Sequence, residues 1–169
     1  MKHNTHFTPR FWNLHSEVDI FDLDGTIIDS SHRAKYCSNG QLDLKHWFKN
    51  NTKENIFKDK LLPLVELLRN RYKMGHKIIL CTARNLSQWD KEFIHSKNIY
   101  YDKIISRPYG VKTEDDILKK AQLQYLFNLK TFKPLIKNFY DDRKANRDII
   151  EGLGANVYNP EWFNKQPKK

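Results

Sequence analysis

Residues 18–26 read V-D-I-F-D-L-D-G-T, and this stretch decides the fold. It opens with an apolar run typical of a buried strand and ends in two acids and Gly25. Side chains alternate along an extended chain, so Asp22 and Asp24 can point the same way while Leu23 points into the core. We therefore predict a strand over 18–23 that runs directly into a loop carrying two carboxylates.

The two carboxylates of this loop need a partner, because close negative charges repel unless a cation lies between them. A hard divalent cation bound by oxygen atoms is the natural partner for Asp22 and Asp24. Gly25 lets the backbone turn sharply beside such a cation. The alternative is an acidic turn that is solvated and has no function.

Outward from this strand, short apolar runs alternate with longer amphipathic stretches, which is typical of strands and helices in turn. Strands are predicted over 77–81, 101–106, 135–140 and 155–158, and helices over 61–74, 87–96, 113–128 and 144–153. Thr113 is predicted to cap its helix, because Asp116 follows three residues later. This order predicts an α/β protein with a three-layer, Rossmann-like parallel sheet that has helices on both faces.

The chain of 169 residues is predicted to form a single domain with a basic N-terminal arm over 1–16. About thirty residues separate Thr26 from the helix near Leu61, which is enough for a small helical cap over about 30–60. Asp43 is predicted to cap a short helix in that segment. A cap of this size leaves the site open, which suits the end of a polymer better than an enclosed metabolite.

Polar side chains of matching chemistry follow other predicted elements. Thr82 and Arg84 follow the 77–81 strand and offer a hydroxyl and a guanidinium suited to phosphate oxygens. Lys119 lies in the 113–128 helix, and Asp141 and Asp142 end the 135–140 strand. Each of these alone could be an ordinary surface residue. Because ligands of open α/β sheets bind outside the carboxyl ends of the strands, their combination favours one shared site.

The net charge is unusual, since 30 Lys and Arg against 20 Asp and Glu give a formal charge of +10. A basic surface raises the local concentration of polyanions, so nucleic acid or a nucleotide is the predicted partner. The alternative is that the excess charge only keeps the protein soluble.

Several protein classes are excluded by what the sequence lacks. Its six glycines form neither G-x-x-x-x-G-K-[ST] nor G-x-G-x-x-G, so a P-loop kinase and a dinucleotide-binding fold are unsupported. Cys37 and Cys81 are far apart and form no C-x-x-C pair, which argues against a disulfide scaffold and fits a reducing cytosol. No apolar run approaches the roughly eighteen residues of a membrane span, and the first residues do not form a signal peptide. We therefore expect a soluble, cytoplasmic protein without a membrane partner.

Taken together, the motifs between Asp22 and Asp142 resemble the four motifs of the haloacid dehalogenase superfamily. The resemblance implies a phosphatase in which Asp22 is the nucleophile and Asp24 the general acid and base. It also implies that Thr82 and Lys119 neutralise the phosphoryl oxygens. A Mg²⁺ cofactor is implied as well, and its ligands are then Asp22, Asp24, Asp141 and Asp142. The second acid, Asp24, favours phosphoryl transfer, because members that act on carbon–halogen bonds lack it.

Further residues resemble the 3′-phosphatase domain of phage-type polynucleotide kinase-phosphatases. That group has an Arg after the first motif, as Arg33 is here, and Ser/Thr-x-Arg at the second, as Thr82 and Arg84 are. The remaining matches are the Asp115-Asp116-x-x-Lys119 string, Asp141-Asp142-Arg143, Arg107-Pro108 and the Gly110 turn. The resemblance implies that Arg33, Arg84 and Asp115 contact the substrate. The kinase domain is missing, so only the phosphatase half can be carried over.

Three functions remain open on these grounds. The leading hypothesis is a Mg²⁺-dependent phosphomonoesterase that forms an aspartyl-phosphate and removes 3′-phosphates from nucleic-acid ends. The first alternative is a nucleotidase that acts on mononucleotides with the same chemistry. The second is a nucleic-acid-binding module on an inactive phosphatase fold, which the intact set of Asp22, Asp24, Lys119 and Asp142 disfavours.

Overall fold

The computed structural model describes residues 17–165, so the predicted arm at 1–16 lies outside the described residues. A parallel sheet with strand order β5-β4-β1-β6-β7 forms the centre of the molecule. Together with a two-stranded antiparallel sheet, the strands are β1 (Glu17–Phe21), β2 (Ile28–Asp29), β3 (Lys60–Leu61), β4 (Lys77–Cys81), β5 (Lys103–Ile105), β6 (Ile136–Tyr140) and β7 (Asn156–Tyr158). The helices are α1 (Leu44–Asn50), α2 (Lys53–Ile56), α3 (Val65–Lys73), α4 (Gln88–Ser96), α5 (Asp115–Asn128), α6 (Lys144–Glu151) and α7 (Glu161–Asn164).

Alternation along the strands directs apolar side chains to both faces of the sheet. Val18 and Ile20 of β1 pack with apolar residues of α5 and α6. Phe21, which points the other way, packs with residues of α3 and α4. Each fully buried apolar side chain contributes about 1.5–3 kcal/mol. The predicted α/β fold with a three-layer parallel sheet is confirmed.

The two helices that flank the site begin differently. Helix α4 begins at Gln88 with the reciprocal capping bonds of Ser87 and Asp90, close to its predicted start. Helix α5 begins at Asp115, and its N-cap residue Glu114 makes no side-chain capping bond. The predicted cap at Thr113 is therefore wrong. The Thr113 carbonyl instead accepts a hydrogen bond of 2.6 Å from Arg107, which holds this residue in the preceding loop.

A helical insert, residues 30–59, separates β2 from β3. These two strands pair with each other and close the base of the insert. The insert contains a single 3₁₀ turn (Ser31–Arg33) followed by α1 and α2, and the side chain of Asp43 accepts from His46 N at 3.0 Å to cap α1. Sequence reasoning missed β2 and β3, because two-residue strands carry no periodic pattern.

Membrane insertion of the described part of the chain finds no support in its helices. Between residues 17 and 165, no helix combines the length and the apolar composition of a membrane span.

Candidate active site

The carboxyl ends of β4, β1 and β6 bring the predicted residues to one edge of the sheet. Phe21 pairs in register with Leu80 on one side and with Tyr140 on the other, so the residues that follow lie at the same level. Asp22 and Asp141 are the next residues on their strands, Thr82 lies one position further after Cys81, and all three are buried. Asp22 N donates to Tyr140 O at 2.9 Å, which fixes the start of the loop after β1.

Lys119 reaches this edge from α5 and is also buried. Its Nζ lies 2.6 Å from Asp141 Oδ2 and 2.9 Å from Asp22 Oδ1. Burial alone would lower the pKa of Lys119, but the charges of Asp22 and Asp141 raise it above that of an ordinary lysine. Burial raises the pKa of Asp22 well above its usual range, while the ammonium of Lys119 acts in the opposite direction. The edge thus holds a buried ammonium group in contact with two carboxylates.

Three carboxylates in the described part of the chain lie close enough to share a metal ion. Oxygen atoms of Asp22, Asp141 and Asp142 fall within 4.8 Å of one another. Burial, and next the charge of Asp141, raise the pKa of Asp142 to about 6. Three crowded acids of this kind fit a hard divalent cation, which would offset their repulsion.

The backbone around these carboxylates is built closely against them. A Cβ atom on Gly25 would stand 2.5 Å from Asp142 Oδ2, and φ of Gly25 is +74°. Asn146 Nδ2 donates to both oxygens of Asp141, at 3.1 and 3.0 Å. Asp142 N donates to Thr26 Oγ1 at 3.2 Å. The acids are therefore held in place before any ion binds.

Asp24 lies beside this group but outside it. Its Oδ1 accepts hydrogen bonds from Ser30 Oγ at 2.6 Å and from Arg84 Nη1 at 3.1 Å. The side chain of Asp24, expected as a metal ligand, does not join the three acids that lie close together. Its side chain is 33% exposed, so it faces the open side of the site.

Arg84, expected to contact the substrate, bridges two acids. One terminal nitrogen binds Asp24, and the other lies 3.0 Å from Asp90 Oδ1 at the start of α4. Ser30 and Asp90 escaped sequence reasoning, because a lone Ser after a short strand and a capping Asp have common structural roles.

Arg33, the other arginine expected to contact the substrate, lies inside the protein at the base of the insert. Its Nε and Nη2 donate to the two oxygens of Asp59 at 3.0 and 2.8 Å, and its Nη1 donates to Asn51 Oδ1 at 2.9 Å. The guanidinium also lies 4.3 Å from the centre of the Trp47 ring. With only 1% of its side chain exposed, Arg33 has its donors engaged within the fold.

Asp115, also expected to contact the substrate, joins two loops. Its Oδ1 accepts from Arg107 Nη2 at 2.8 Å, and its Oδ2 accepts from Arg143. The carboxylate thus ties the loop before α5 to the loop that carries Asp141 and Asp142.

Asn164 of α7 is a further residue that the sequence did not suggest. Its Nδ2 donates to Thr26 O at 3.1 Å, and its Oδ1 accepts from Leu64 N at 2.9 Å. The turn after Asp24 is therefore braced by the last described helix. No local pattern signals such a contact.

A second group of polar residues lies around the first half of β1. Glu17, Asp19 and His76 have ligand atoms within 4.8 Å of one another. His76 Nδ1 is only 2.6 Å from Asp19 Oδ2, and Asn138 and Tyr140 donate to Asp19 Oδ1 at 3.2 and 3.4 Å. Burial raises the pKa of Asp19 above its usual value, although the hydrogen bond to His76 acts in the opposite direction. These contacts describe an internal hydrogen-bond network within the sheet.

Comparison with known proteins gives one matching family. The family model described as bacteriophage T5 5′-deoxynucleotidase matches residues 10–165. The 5′-deoxynucleotidase of Escherichia phage T5 is 38% identical over 99 residues, a match that covers 56% of this chain and 40% of that protein. The chain therefore spans less than half the length of this relative.

Solved structures share the fold at low sequence identity. A chain of the Pnkp1/Rnl/Hen1 RNA repair complex has a TM-score of 0.62 at 21% identity, covering 94% of this chain and 46% of that one. A haloacid dehalogenase superfamily hydrolase from Geobacter sulfurreducens has a TM-score of 0.59 at 12% identity, covering 85% and 86% of the two chains. The fold is that of the haloacid dehalogenase superfamily, which confirms the resemblance at the level of the fold.

Proposed function

Because this chain belongs to the bacteriophage T5 5′-deoxynucleotidase family, we propose that it is a phosphomonoesterase that releases phosphate from deoxynucleoside 5′-monophosphates. The observation that carries this proposal is the Lys119 ammonium, which lies between Asp22 and Asp141 at the carboxyl edge of the sheet. A carboxylate beside a fixed cation is suited to attack a phosphoryl group whose charge the cation then stabilises.

In the proposed mechanism, an oxygen of Asp22 attacks phosphorus and forms an aspartyl-phosphate as the bond to the sugar oxygen breaks. Asp24 gives a proton to the departing hydroxyl and then removes one from the water that hydrolyses the aspartyl-phosphate. In both steps, the charge of Lys119 neutralises the phosphoryl oxygens and the hydroxyl of Thr82 donates a hydrogen bond to them.

A divalent cation fits the same proposal. Asp22, Asp141 and Asp142 would hold it, and when bound it would supply positive charge for the phosphoryl oxygens. We propose Mg²⁺, because an all-oxygen carboxylate set suits a hard cation.

The proposal divides the residues expected to bind substrate. Arg84 remains a candidate, because one of its two acidic partners is Asp24, the proposed acid and base, which a bound substrate would contact. Arg33 and Asp115 are assigned to holding the insert and the loops in place, because their polar atoms are taken up by protein partners.

A second candidate function is removal of 3′-phosphates from nucleic-acid ends. The formal charge of +10 favours it, because a long polyanion gains more from a basic surface than a single nucleotide does. We retain a cytoplasmic location within either proposal, since Cys37 and Cys81 are both free thiols.

Phosphate release from a panel of substrates separates these functions. The panel contains deoxynucleoside 5′-monophosphates, the corresponding 3′-monophosphates and a 3′-phosphorylated oligonucleotide, each with Mg²⁺ and with excess chelator. We expect the highest kcat/KM for the 5′-monophosphates and no release in chelator. A preference for the 3′-phosphorylated oligonucleotide would move the protein to the second function. No release from any substrate would favour the non-catalytic binding module.

A further inference from the structure

One aromatic ring at the catalytic edge is almost completely exposed. Tyr109, in the turn 108–111 between β5 and α5, is 99% exposed. Within residues 17–165 the next most exposed large hydrophobic residue, Tyr125, is 71% exposed. An aromatic side chain that contacts nothing in the protein gains none of the stabilisation that burial of its ring would give.

The turn that carries Tyr109 is rigidly held. Gly110 has a φ of +81°, which a side chain at this position would strain, and Val111 N donates to Pro108 O at 3.2 Å to close the turn. Arg107 also holds the turn, because its side chain donates to Val111 O at 3.1 Å and to Thr113 O at 2.6 Å. The backbone that carries Tyr109 is therefore held in place, which lowers the backbone entropy lost when a ligand binds to the ring.

The same arginine fixes the turn beside the active site. Arg107 Nε donates at 2.6 Å to the carbonyl of Ala83, the residue directly after Thr82. Its Nη2 donates to Asp115, whose other oxygen is bound by Arg143, the residue after the acidic pair of β6. The loop that follows β4 and the loop that follows β6 are thus joined to the base of the turn.

The surroundings of Tyr109 indicate the kind of ligand. The residues Lys112, Thr113 and Glu114, which follow this turn, are exposed and polar, so the chain beyond the turn adds no apolar surface to the ring. A protein partner would need a contiguous surface, whereas a planar ring needs only one aromatic face.

We propose that Tyr109 is a stacking platform for the nucleobase of the substrate whose phosphate is held at Asp22 and Lys119. This inference rests on the proposed nucleotidase function and extends it from the phosphate to the base. Stacking on a single ring tolerates all four bases, because every base has a π-face. We expect broad activity on deoxynucleotides, with stronger binding of the larger purines.

Paired substrates test the proposal. One is a deoxynucleoside 5′-monophosphate, and the other is 2-deoxyribose 5-phosphate, which has the same phosphate and sugar without a base. Tyr109→Ala should lower kcat/KM for the nucleotide by about 5- to 100-fold, mainly through KM, and leave the base-free substrate unchanged. Tyr109→Phe keeps the ring and should retain most activity on the nucleotide. Tyr125→Ala, which removes the matched exposed tyrosine, should leave kcat/KM unchanged for both substrates.

A binding measurement gives an independent readout. Calorimetric titration of the Asp22→Asn protein with the nucleotide should show weaker binding when Tyr109→Ala is added, by a similar factor. If wild-type protein cleaves the nucleotide and Tyr109→Ala affects both substrates equally or neither, the stacking proposal fails while the nucleotidase function stands. If wild-type protein cleaves 2-deoxyribose 5-phosphate but no nucleotide, the nucleotidase function fails and the stacking proposal fails with it.

Discussion

At the scale of single residues, Lys119 supplies the buried positive charge of the site. Its ammonium lies within 2.9 Å of Asp22 and 2.6 Å of Asp141, and the charges of these acids keep it protonated. A buried cation that cannot give up its proton stabilises negative charge without taking part in proton transfer. In the proposed mechanism, proton transfer is then left to Asp24, which faces the open side.

Replacing the nucleophile tests this division of roles. Asp22→Asn should lower phosphate release by roughly 10³-fold or more, because an amide cannot form the aspartyl-phosphate. Asp24→Asn should lower it by roughly 10²- to 10⁴-fold through loss of acid and base catalysis. Circular dichroism and thermal melts should show an intact fold in both. Asp148→Asn, an exposed acid on α6, serves as the matched control, and normal turnover by Asp22→Asn would refute the mechanism.

The acidic group also predicts a pH dependence for metal binding. The pKa of Asp142 is raised to about 6, so this carboxylate is ionised above that pH and protonated below it. A metal ligand must be deprotonated, so protonation of Asp142 should lower Mg²⁺ affinity by up to about tenfold per pH unit below about pH 6. Titration of Mg²⁺ by calorimetry at about pH 5 and about pH 7.5 measures the change. Equal affinity at both values would contradict the assignment of Asp142.

Sequence reasoning placed some of these residues well and others not. Asp22, Thr82 and Asp141 were expected together because parallel strands present their carboxyl ends at one edge, and the register of β1 with β4 and β6 brings them there. Arg33 was expected at the substrate because its place in the motif resembles a known one. Its partner Asp59 lies 26 residues further along, and no periodic pattern links the two.

At the scale of elements, a buried ion pair joins the two ends of the insert. Arg33 and Asp59 are joined by two hydrogen bonds, and their side chains are 1% and 0% exposed. Removing one member of a buried pair leaves the other charge without compensation, which is costly. Both residues lie within the insert, so the pair joins the beginning of residues 30–59 to their end.

A double-mutant cycle measures the coupling free energy between Arg33 and Asp59. Arg33→Met or Asp59→Leu alone should lower the free energy of unfolding by about 3–5 kcal/mol, while the double variant should recover much of that loss. Lys144→Met, which breaks the exposed pair with Asp148, should cost at most about 1 kcal/mol. Urea unfolding gives all of these values. Unchanged stability in Arg33→Met together with a loss of kcat/KM would restore Arg33 to the substrate site.

Most elements were predictable, but the two-residue strands were not. The 77–81 strand has the predicted bounds, and β6 and α4 agree to within about one residue. Continuous buried runs mark these two strands, and buried residues at helical spacing mark α4. β2 and β3 have two residues each and exist because they pair with each other across the insert. The start of α5 was misplaced because Arg107, six residues upstream of Thr113, binds its carbonyl.

At the scale of the whole molecule, the formal charge of +10 bears on the size of the substrate. For a mononucleotide, only one phosphate is neutralised on binding, so kcat/KM should fall weakly between about 50 and about 200 mM salt. For an oligonucleotide, the log–log slope should approach about −0.7 per phosphate contacted on a single strand. Parallel salt series with both substrates provide the measurement. A higher kcat/KM for the oligonucleotide, together with a steep dependence of kcat/KM on salt, would support the 3′-phosphatase function over the nucleotidase.

The hydrogen bond from Asn164 to Thr26 spans 138 positions of the chain. During translation, the turn at Thr26 is made 138 residues before the residue that braces it. A fragment that ends before β6 lacks Asp141 and Asp142 as well as Asn164. We therefore expect such a fragment to release no phosphate under the proposed mechanism.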